Sequence, residues 1–245
     1  MECREATKLG AAQLSHSDVH LWIAYLDRSP DEIGRMGAML TRDELERASA
    51  FSFERDRSRF IAARAILRRL LGQYTGCEPR SIRLDYTPWG KPVLAVESAS
   101  RGIRFNLSHS HGLAVYAVAG GREVGVDVEI IRPDLVNERI AEHFFSRAEV
   151  EWLRTLPGEH QAEAFFACWT RKEAYVKALG RGLTVDLGSF DVSPRRRERP
   201  AFPRGVDTTR WSLEAFRPCD GYLAAVAVEG TDYRLGEPRW FWNPA

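Results

Sequence analysis

The feature that most constrains the fold is an internal echo between the two halves of the chain. The helical segment RAILRRLLG at 64–72 resembles EAYVKALG at 173–180, and the strand-like segment HGLAVYAVAG at 111–120 resembles DGYLAAVAVEG at 220–230. Each half therefore has a helix, a turn and a glycine-started apolar strand in the same order. The echo predicts an α+β fold of two similar halves, related by pseudo-two-fold symmetry around a cleft where a site would form. Chance similarity between generic amphipathic segments is the alternative.

We place the boundary between the halves after residue 122, so that they comprise 1–122 and 123–245. Hydrophobic periodicity and turn residues predict the elements within them. In chain order they are a strand at 20–26, a helical region at 43–72 broken near 51–53 and capped by Gly72, a polar turn at 105–110, a helical segment at 137–154, a helix at 161–180 and an exposed Arg/Pro-rich loop at 193–205.

Composition excludes several classes of protein. The 245 residues are 44% hydrophobic, which is ordinary for a globular protein, and the net charge of +1 gives no case for nucleic-acid binding. No apolar run approaches the roughly 20 residues that a membrane span needs, and no secretory leader is evident, so we expect a soluble cytoplasmic protein. The four cysteines lack CxxC or metal spacing, which indicates reduced thiols.

The pentapeptide GVDVE at 125–129 is typical of a half-buried strand. Side chains alternate along a strand, so Asp127 and Glu129 share one face while the valines share the other. Two carboxylates this close repel each other unless a cation or a shared proton lies between them. A hard ion with oxygen ligands, such as Mg²⁺, would suit them, whereas an amphipathic strand with a solvated acidic face is the simpler alternative.

The helix at 161–180 adds a third acid and a base. Glu173 and Lys177 are four residues apart and share one face. An ordinary surface ion pair would have the same spacing. Beside the strand carboxylates, however, Glu173 would complete a metal shell, and the lysine ammonium would neutralise charge on a departing phosphate.

Further groups are suited to bind phosphate. The polar segment around Ser108 and His109 has hydroxyl, imidazole and amide donors, Lys91 lies on a constrained turn between Gly90 and Pro92, and Arg47, Arg64 and Arg68 lie in the basic helical region. A turn capped by its own Ser and Asn side chains, with solvated surface arginines, would account for the same residues without a ligand.

Taken together in this order, the segments GKP (90–92), FNLSHS (105–110), GVDVE (125–129) and FFACWTRKEAYVKALGRGL (165–183) resemble the 4′-phosphopantetheinyl transferase superfamily. The similarity is to its larger, single-chain type, which activates synthetases of surfactin-like peptides, and it spans roughly residues 40 to 190. It implies Mg²⁺-dependent transfer of the phosphopantetheine arm from coenzyme A to a serine of an apo acyl or peptidyl carrier protein, with release of adenosine 3′,5′-bisphosphate. The family fold, two similar α+β halves around a cleft, agrees with the echo.

The resemblance also implies roles for individual residues. The metal ligands would be Asp127, Glu129 and Glu173, and members of the family differ in whether the carboxylate at the position of Glu129 binds the metal directly or through water. Contacts to coenzyme A would come from Lys91, Ser108 and His109, from Lys177 at the pyrophosphate, and from Arg47 and Arg64 near the 3′-phosphate. The N-terminal half would thus contact the nucleotide, and the C-terminal half would hold the metal and the catalytic helix.

A carboxylate must accept the serine proton, and Glu149 or Glu173 would serve. An ordinary ion pair of Glu149 with Arg147 or Arg154 is the alternative. Two other functions fit the same residues: a Mg²⁺-dependent nucleotide pyrophosphate hydrolase and a non-catalytic module that binds coenzyme A or a carrier protein. The sequence does not identify the carrier. The basic loop at 195–199 would suit an acidic carrier, and an exposed solubilising loop is the alternative. The internal duplication favours a monomer.

Overall fold

The computed structural model describes residues 14–95, 102–136, 138–192 and 210–242. The Arg/Pro-rich loop at 193–205 and Cys3 lie outside the described residues. The helices are α1 (Pro30–Gly37), α2 (Arg42–Ser49), α3 (Glu54–Thr75), α4 (Glu138–Phe144), α5 (Arg147–Arg154) and α6 (Gly158–Leu179). The strands are β1 (Asp18–Tyr25), β2 (Leu84–Tyr86), β3 (Pro92–Leu94), β4 (Ile103–Ser110), β5 (Leu113–Gly120), β6 (Val124–Ile130), β7 (Trp211–Phe216), β8 (Tyr222–Glu229), β9 (Arg234–Leu235) and β10 (Arg239–Trp242).

The first sheet has five strands, in the order β10-β1-β5-β4, with the short β9 also paired to β1. Its central strand β5, LAVYAVAG, is buried at every position, because α3 covers one face of the sheet and a second sheet covers the other. Trp22, Ile66 and Tyr116 belong to the core between this sheet and α3. The β2–β3 hairpin forms a separate two-stranded sheet.

The second sheet has three antiparallel strands in the order β6-β8-β7. Tyr175 and Ala225 belong to the core between this sheet and α6. Val115, Val126 and Val226 share a core on the other side, where the two sheets face each other. The layers therefore run helix, sheet, sheet, helix, and the two helices cover the outer faces.

This layering confirms the α+β class with two similar halves. Both α3 and α6 have 22 residues and end at a glycine in the left-handed conformation, Gly76 at φ 77° and Gly180 at φ 64°. Glycines also precede the matching strands β5 and β8, at Gly112 and Gly221. Strands β9 and β10, from the C-terminal end, join the first sheet. The division at residue 122 stays a prediction.

Two predictions of local structure were wrong. Gly72 is not the cap of α3: the helix continues to Thr75, and Gly76 supplies the positive φ. Residues 105–110 are not a turn but part of β4, because Phe105 alternates with Asn106 and packs on the α3 side. The turn is at 111–112, next along the chain.

The predicted helical segment at 137–154 is two helices, α4 and α5. Ser146 interrupts them because its hydroxyl accepts a hydrogen bond from the Glu149 amide, while the Glu149 carboxylate accepts one from the Ser146 amide. This capping box starts a new helix at Arg147.

Cys77, Cys168 and Cys219 carry free thiols. Among the described residues, no helix combines the length and the apolar character needed to cross a bilayer.

Candidate active site

The site is built where β6 and α6 approach each other closely. Gly125 makes this approach possible, because a Cβ at that position would lie 2.1 Å from the Ala174 carbonyl oxygen and 2.2 Å from the Ala178 nitrogen. The helix backbone thus rests directly on the strand. The residues of β6 that share the face of Gly125, at 127 and 129, are brought beside α6.

Asp127 lies at the centre of the site and is 2% exposed. Its Oδ1 accepts hydrogen bonds from the Lys177 ammonium at 2.6 Å and from the Ser108 hydroxyl at 2.8 Å. Its Oδ2 is buried and has no hydrogen-bond partner. Burial raises the pKa of Asp127, and the Lys177 charge opposes this shift. An unpaired buried carboxylate oxygen is costly, so Oδ2 is an acceptor that a bound ligand would satisfy.

Glu129 has an analogous serine partner. The Ser110 hydroxyl donates to Glu129 Oε2 at 2.6 Å and accepts from the Ile130 amide at 3.3 Å. Burial raises the pKa of Glu129 to about 7, and the charges of Asp127 and Glu173 add to the effect. Strands β4 and β6 thus share two contacts between a serine and a carboxylate, and these contacts are two residues apart along each strand.

Asn106 and Ser110 were assigned from the sequence only to a polar segment suited to phosphate, whereas in β4 their side chains contact β6. Ser110 holds Glu129, and the Asn106 side-chain oxygen accepts from the Val126 amide at 2.9 Å. These side chains join the first sheet to the second. The signal was present in the sequence, because polar residues at 106, 108 and 110 alternate with the same period as the carboxylates of β6.

Glu173 and Lys177 project from α6 toward this pair of strands. Burial raises the pKa of Glu173, the charge of Asp127 raises it further, and Lys177 opposes both. The three carboxylates are therefore within electrostatic reach of one another. The predicted ligands Asp127, Glu129 and Glu173 are brought together on the β6–α6 face.

The fit of a metal ion can be tested on these side chains. Within the described ranges, no cluster of three or more Asp, Glu, His or Cys side chains has a ready metal-binding arrangement. Lys177 already donates to Oδ1 of Asp127, so this oxygen has a positively charged partner within the protein. The unpaired Oδ2 and the mutual repulsion of three carboxylates nonetheless fit a hard divalent ion with oxygen ligands.

His109 follows Ser108 on β4 and is exposed. The exposed ring is nonetheless surrounded on its inner side by protein atoms, and this partial desolvation, together with the nearby cations Lys177 and Arg59, lowers the pKa of His109. Ser108 is 7% exposed and donates to Asp127 while accepting from Lys177 at 2.9 Å. Of these two predicted phosphate contacts, Ser108 is thus already part of the Asp127 cluster, whereas His109 is free to meet a ligand from solvent.

A cavity of about 940 Å³ lies on the first half, between α2 and the β2 region. Arg47 lines it and stacks its guanidinium over the Tyr86 ring, 4.4 Å from the centroid. Arg64 does not line it: this side chain is 6% exposed and donates to the Tyr86 hydroxyl. Arg64 therefore supports the cavity wall through Tyr86, and its direct contact with a phosphate stays a prediction.

Lys91 borders a second cavity, of about 300 Å³, which Glu173 and Lys177 also line. Its ammonium, however, contacts Glu123, the Val124 carbonyl and the Ala178 carbonyl, and the side chain is only 9% exposed. The structure therefore gives this predicted phosphate contact three partners within the protein.

Glu149 is not brought to the other carboxylates. It is 0% exposed, and its carboxylate accepts from the amides of Ser146 and Val192 and pairs with Lys172 at 2.8 Å. Burial leaves no route for a serine hydroxyl of a second protein to reach it, so its predicted role as proton acceptor is corrected to a structural one. The alternative partners were also wrong, since Arg147 pairs with Glu151 and Arg154 with Glu138 and Glu142.

Comparison with known proteins identifies relatives of this chain. The family model for the 4′-phosphopantetheinyl transferase superfamily matches residues 123–227, and the model for the N-terminal region of 4′-phosphopantetheinyl transferases matches residues 27–120. The 4′-phosphopantetheinyl transferase HetI of Nostoc sp. is 41% identical over 94% of this chain and 94% of its own length. The human L-aminoadipate-semialdehyde dehydrogenase-phosphopantetheinyl transferase is 30% identical over 78% of this chain and 67% of its own length. The 4′-phosphopantetheinyl transferase Sfp of Bacillus subtilis is 25% identical over 85% of this chain and 92% of its own length.

Proposed function

This chain belongs to the 4′-phosphopantetheinyl transferase superfamily, and from that premise we propose that it works with Mg²⁺ held by Asp127, Glu129 and Glu173. It transfers the 4′-phosphopantetheine arm of coenzyme A to a serine of an apo carrier protein and releases adenosine 3′,5′-bisphosphate. The bond that forms joins the serine oxygen to the phosphorus bearing the pantetheine arm. The bond that breaks is the pyrophosphate linkage to the nucleotide.

One observation carries the metal proposal. Asp127 is 2% exposed, yet its Oδ2 has no hydrogen-bond partner, and two further carboxylates lie within electrostatic reach. Lys177 supplies one positive charge to Asp127, and a divalent cation would offset the remaining repulsion among the three carboxylates. When bound, Mg²⁺ would stabilise the negative charge that develops on the pyrophosphate oxygens.

Lys177 supplies a second positive charge from the protein itself. Its ammonium contacts Asp127 and Ser108, and the side chain is 30% exposed, so it can shift from the carboxylate toward an incoming phosphate. There it would offset charge on the departing nucleotide phosphate. Ser108, released from Lys177, would keep its hydroxyl on Asp127 and hold this carboxylate in place.

Of the two predicted proton acceptors, Glu149 and Glu173, only Glu173 remains a candidate. Unlike Glu149, it lines a cavity that opens to solvent. The serine proton would pass to Glu173 as the serine oxygen bonds to phosphorus.

The nucleotide would occupy the cavity of about 940 Å³, with Arg47 near its 3′-phosphate. His109 would add a donor to the phosphates. Arg64 would act indirectly, because it holds Tyr86 in the cavity wall. Lys91 would also act indirectly, through its contacts with the C-terminal half. We further propose a cytoplasmic monomer whose partners are coenzyme A and an acyl or peptidyl carrier protein, without nucleic acid or membrane.

Mass spectrometry tests the proposal. An apo carrier protein is incubated with the purified chain, coenzyme A and Mg²⁺, beside a sample with EDTA and one with Asp127→Ala. We expect a mass gain of one phosphopantetheine arm that is lost with EDTA and with the variant, while the variant keeps the far-ultraviolet circular dichroism of the parent. Full transfer by Asp127→Ala would contradict the metal assignment.

The same assay separates the two other functions. Consumption of coenzyme A without a mass gain on the carrier would indicate the pyrophosphate hydrolase. Intact coenzyme A across carriers of peptide, polyketide and fatty-acid synthesis would indicate a binding module.

A further inference from the structure

The turn that carries Lys91 belongs to the first half but faces the second. The Thr87 amide donates to the Lys91 carbonyl at 2.9 Å, and the Lys91 amide donates to the Thr87 hydroxyl at 3.1 Å, so the turn is braced on both sides. The lysine stem then crosses to α6, where a Cβ at Gly180 would lie 3.4 Å from Lys91 Cδ. The side chain therefore leaves a rigid base and ends in the other half.

All of the hydrogen-bonding capacity of the Lys91 ammonium is used there. It contacts the Glu123 carboxylate at 3.2 Å, the Val124 carbonyl at 3.2 Å and the Ala178 carbonyl at 3.3 Å. An ammonium has three donors, and each has one of these acceptors. No donor is left for a phosphate.

The two carbonyls belong to the two elements that build the active site. Val124 is the first residue of β6, three positions before Asp127, and Ala178 directly follows Lys177 in the last turn of α6. A cation at the C-terminal end of a helix also interacts favourably with the helix dipole. One ammonium thus ties the start of the carboxylate strand to the end of the catalytic helix.

We propose that Lys91 is a positioning residue that sets the distance and angle between β6 and α6, and hence between Asp127 and the pair Glu173–Lys177, and that it does not bind phosphate. The inference rests on the proposed function, because the aligned groups are those of the transfer reaction. It also explains how the hairpin that carries Tyr86 into the nucleotide cavity is joined to the site of chemistry.

A positioning residue and a phosphate contact differ in kinetics. Removing a phosphate contact weakens the binding of coenzyme A and raises its KM. Removing a positioning residue leaves the binding of coenzyme A unchanged but displaces the reacting groups. A displacement of about 1 Å lowers the rate by up to roughly 100-fold. We therefore expect Lys91→Met to lower kcat by about 10- to 100-fold and to keep the KM for coenzyme A within about twofold.

Lys91→Arg gives a second test that does not depend on the folding of the Met variant. Arginine binds phosphate at least as well as lysine, so a phosphate contact would survive this change. The wide planar guanidinium does not fit the place of a compact ammonium among three acceptors. If Lys91 is a positioning residue, Lys91→Arg should therefore also lower kcat.

Arg104→Gln is the matched control. Arg104 pairs with the other oxygen of the same Glu123 carboxylate at 3.0 Å, and its side chain is 45% exposed. This change removes a cation from Glu123 and leaves the contacts of Lys91 with β6 and α6 intact. We expect its kcat and KM to match those of the parent chain.

The experiment compares the parent chain, Lys91→Met, Lys91→Arg and Arg104→Gln in carrier-protein transfer. Calorimetry measures coenzyme A affinity in EDTA, and electron paramagnetic resonance measures Mn²⁺ affinity without coenzyme A. We expect both Lys91 variants to retain coenzyme A affinity, to bind Mn²⁺ more weakly and to lose kcat. Weaker coenzyme A binding with unchanged kcat and Mn²⁺ affinity would overturn the inference. Absence of transfer by the parent chain would instead refute the proposed function, and the Mn²⁺ measurement would still decide whether Lys91 aligns the carboxylates.

Discussion

Lys172 and Glu149 form an ion pair in which neither side chain reaches solvent, with 2.8 Å between Nζ and Oε2 and 0% exposure for both. The Lys172 ammonium also donates to the carbonyls of Leu187 and Phe190 at 2.7 and 2.6 Å. Glu149 in turn accepts from the Val192 amide at 2.7 Å. The pair thus ties α5 and the segment at 187–192 to α6, immediately beside Glu173.

Breaking this pair on one side should be strongly destabilising. Lys172→Met leaves a carboxylate buried without its cation, and we expect the free energy of unfolding to fall by about 3 to 5 kcal/mol. The double variant Lys172→Met, Glu149→Gln removes both charges and should recover part of that loss. Urea denaturation of the two single variants and the double variant gives the coupling free energy. Purely additive losses would contradict the pairing.

Arg154→Met is the control for that measurement. Arg154 pairs with Glu138 and Glu142 at the surface, where its side chain is 51% exposed. Exposed pairs of this kind contribute at most about 1 kcal/mol, so the free energy of unfolding should change little.

Gly125→Ala should separate β6 from α6. The added methyl group would meet backbone atoms of α6 at 2.1 and 2.2 Å, and neither the strand nor the helix can yield without displacing Asp127 or Lys177. We expect thermal denaturation to show a lower melting temperature and the transfer assay to show a lower kcat.

Gly34→Ala is the matched substitution. Gly34 lies within α1, and a Cβ there would meet nothing within 4 Å. Alanine is favoured over glycine in a helix by about 0.5 to 1 kcal/mol, so this variant should be slightly more stable and fully active. Equal effects of the two alanines would contradict the close packing at Gly125.

Arg47→Ala should weaken recognition of one part of coenzyme A. Arg47 is exposed and lines the larger cavity, where its charge can meet the 3′-phosphate. A charge-assisted hydrogen bond contributes about 1.5 to 3 kcal/mol, which corresponds to a roughly 10- to 100-fold rise in KM for coenzyme A. Steady-state kinetics with dephospho-coenzyme A, which lacks this phosphate, should show no such rise. A parallel loss with both substrates would contradict the assignment.

The metal-free protein should become less stable as the pH rises toward neutrality. The pKa of Glu129 is raised from 4.5 to about 7 in the folded chain, so the folded state binds the proton more tightly than the unfolded state. This contribution is complete below pH 4.5 and is lost as the pH rises through 7. Urea denaturation in EDTA between pH 5 and pH 8 should show a smaller decline for Glu129→Gln than for the parent chain. An identical decline would contradict the burial of Glu129 as the cause.

Much of the architecture could be predicted from local pattern. The echo between the halves predicted that a helix in each half would correspond, as α3 and α6 do, and that each half would have a glycine-started strand, as β5 and β8 are. These segments could be predicted because each has a periodic apolar face. The prediction failed where packing overrides local preference. Asn106 and Ser108 are polar residues that favour turns, yet they lie in a strand because their side chains bond to β6 across the interface.

The sequence by itself determined the α+β class, the face shared by Asp127 and Glu129 and the i, i+4 spacing of Glu173 and Lys177, since these follow from the fixed periods of strand and helix. Only the tertiary structure decided which of the titratable groups meet. It buried Glu149 against Lys172, turned Lys91 onto two backbone carbonyls and left Oδ2 of Asp127 without a partner. The physical reason is that a buried charged side chain must contact groups that compensate the loss of its hydration. Those groups are distant in sequence, so only the tertiary packing brings them to it.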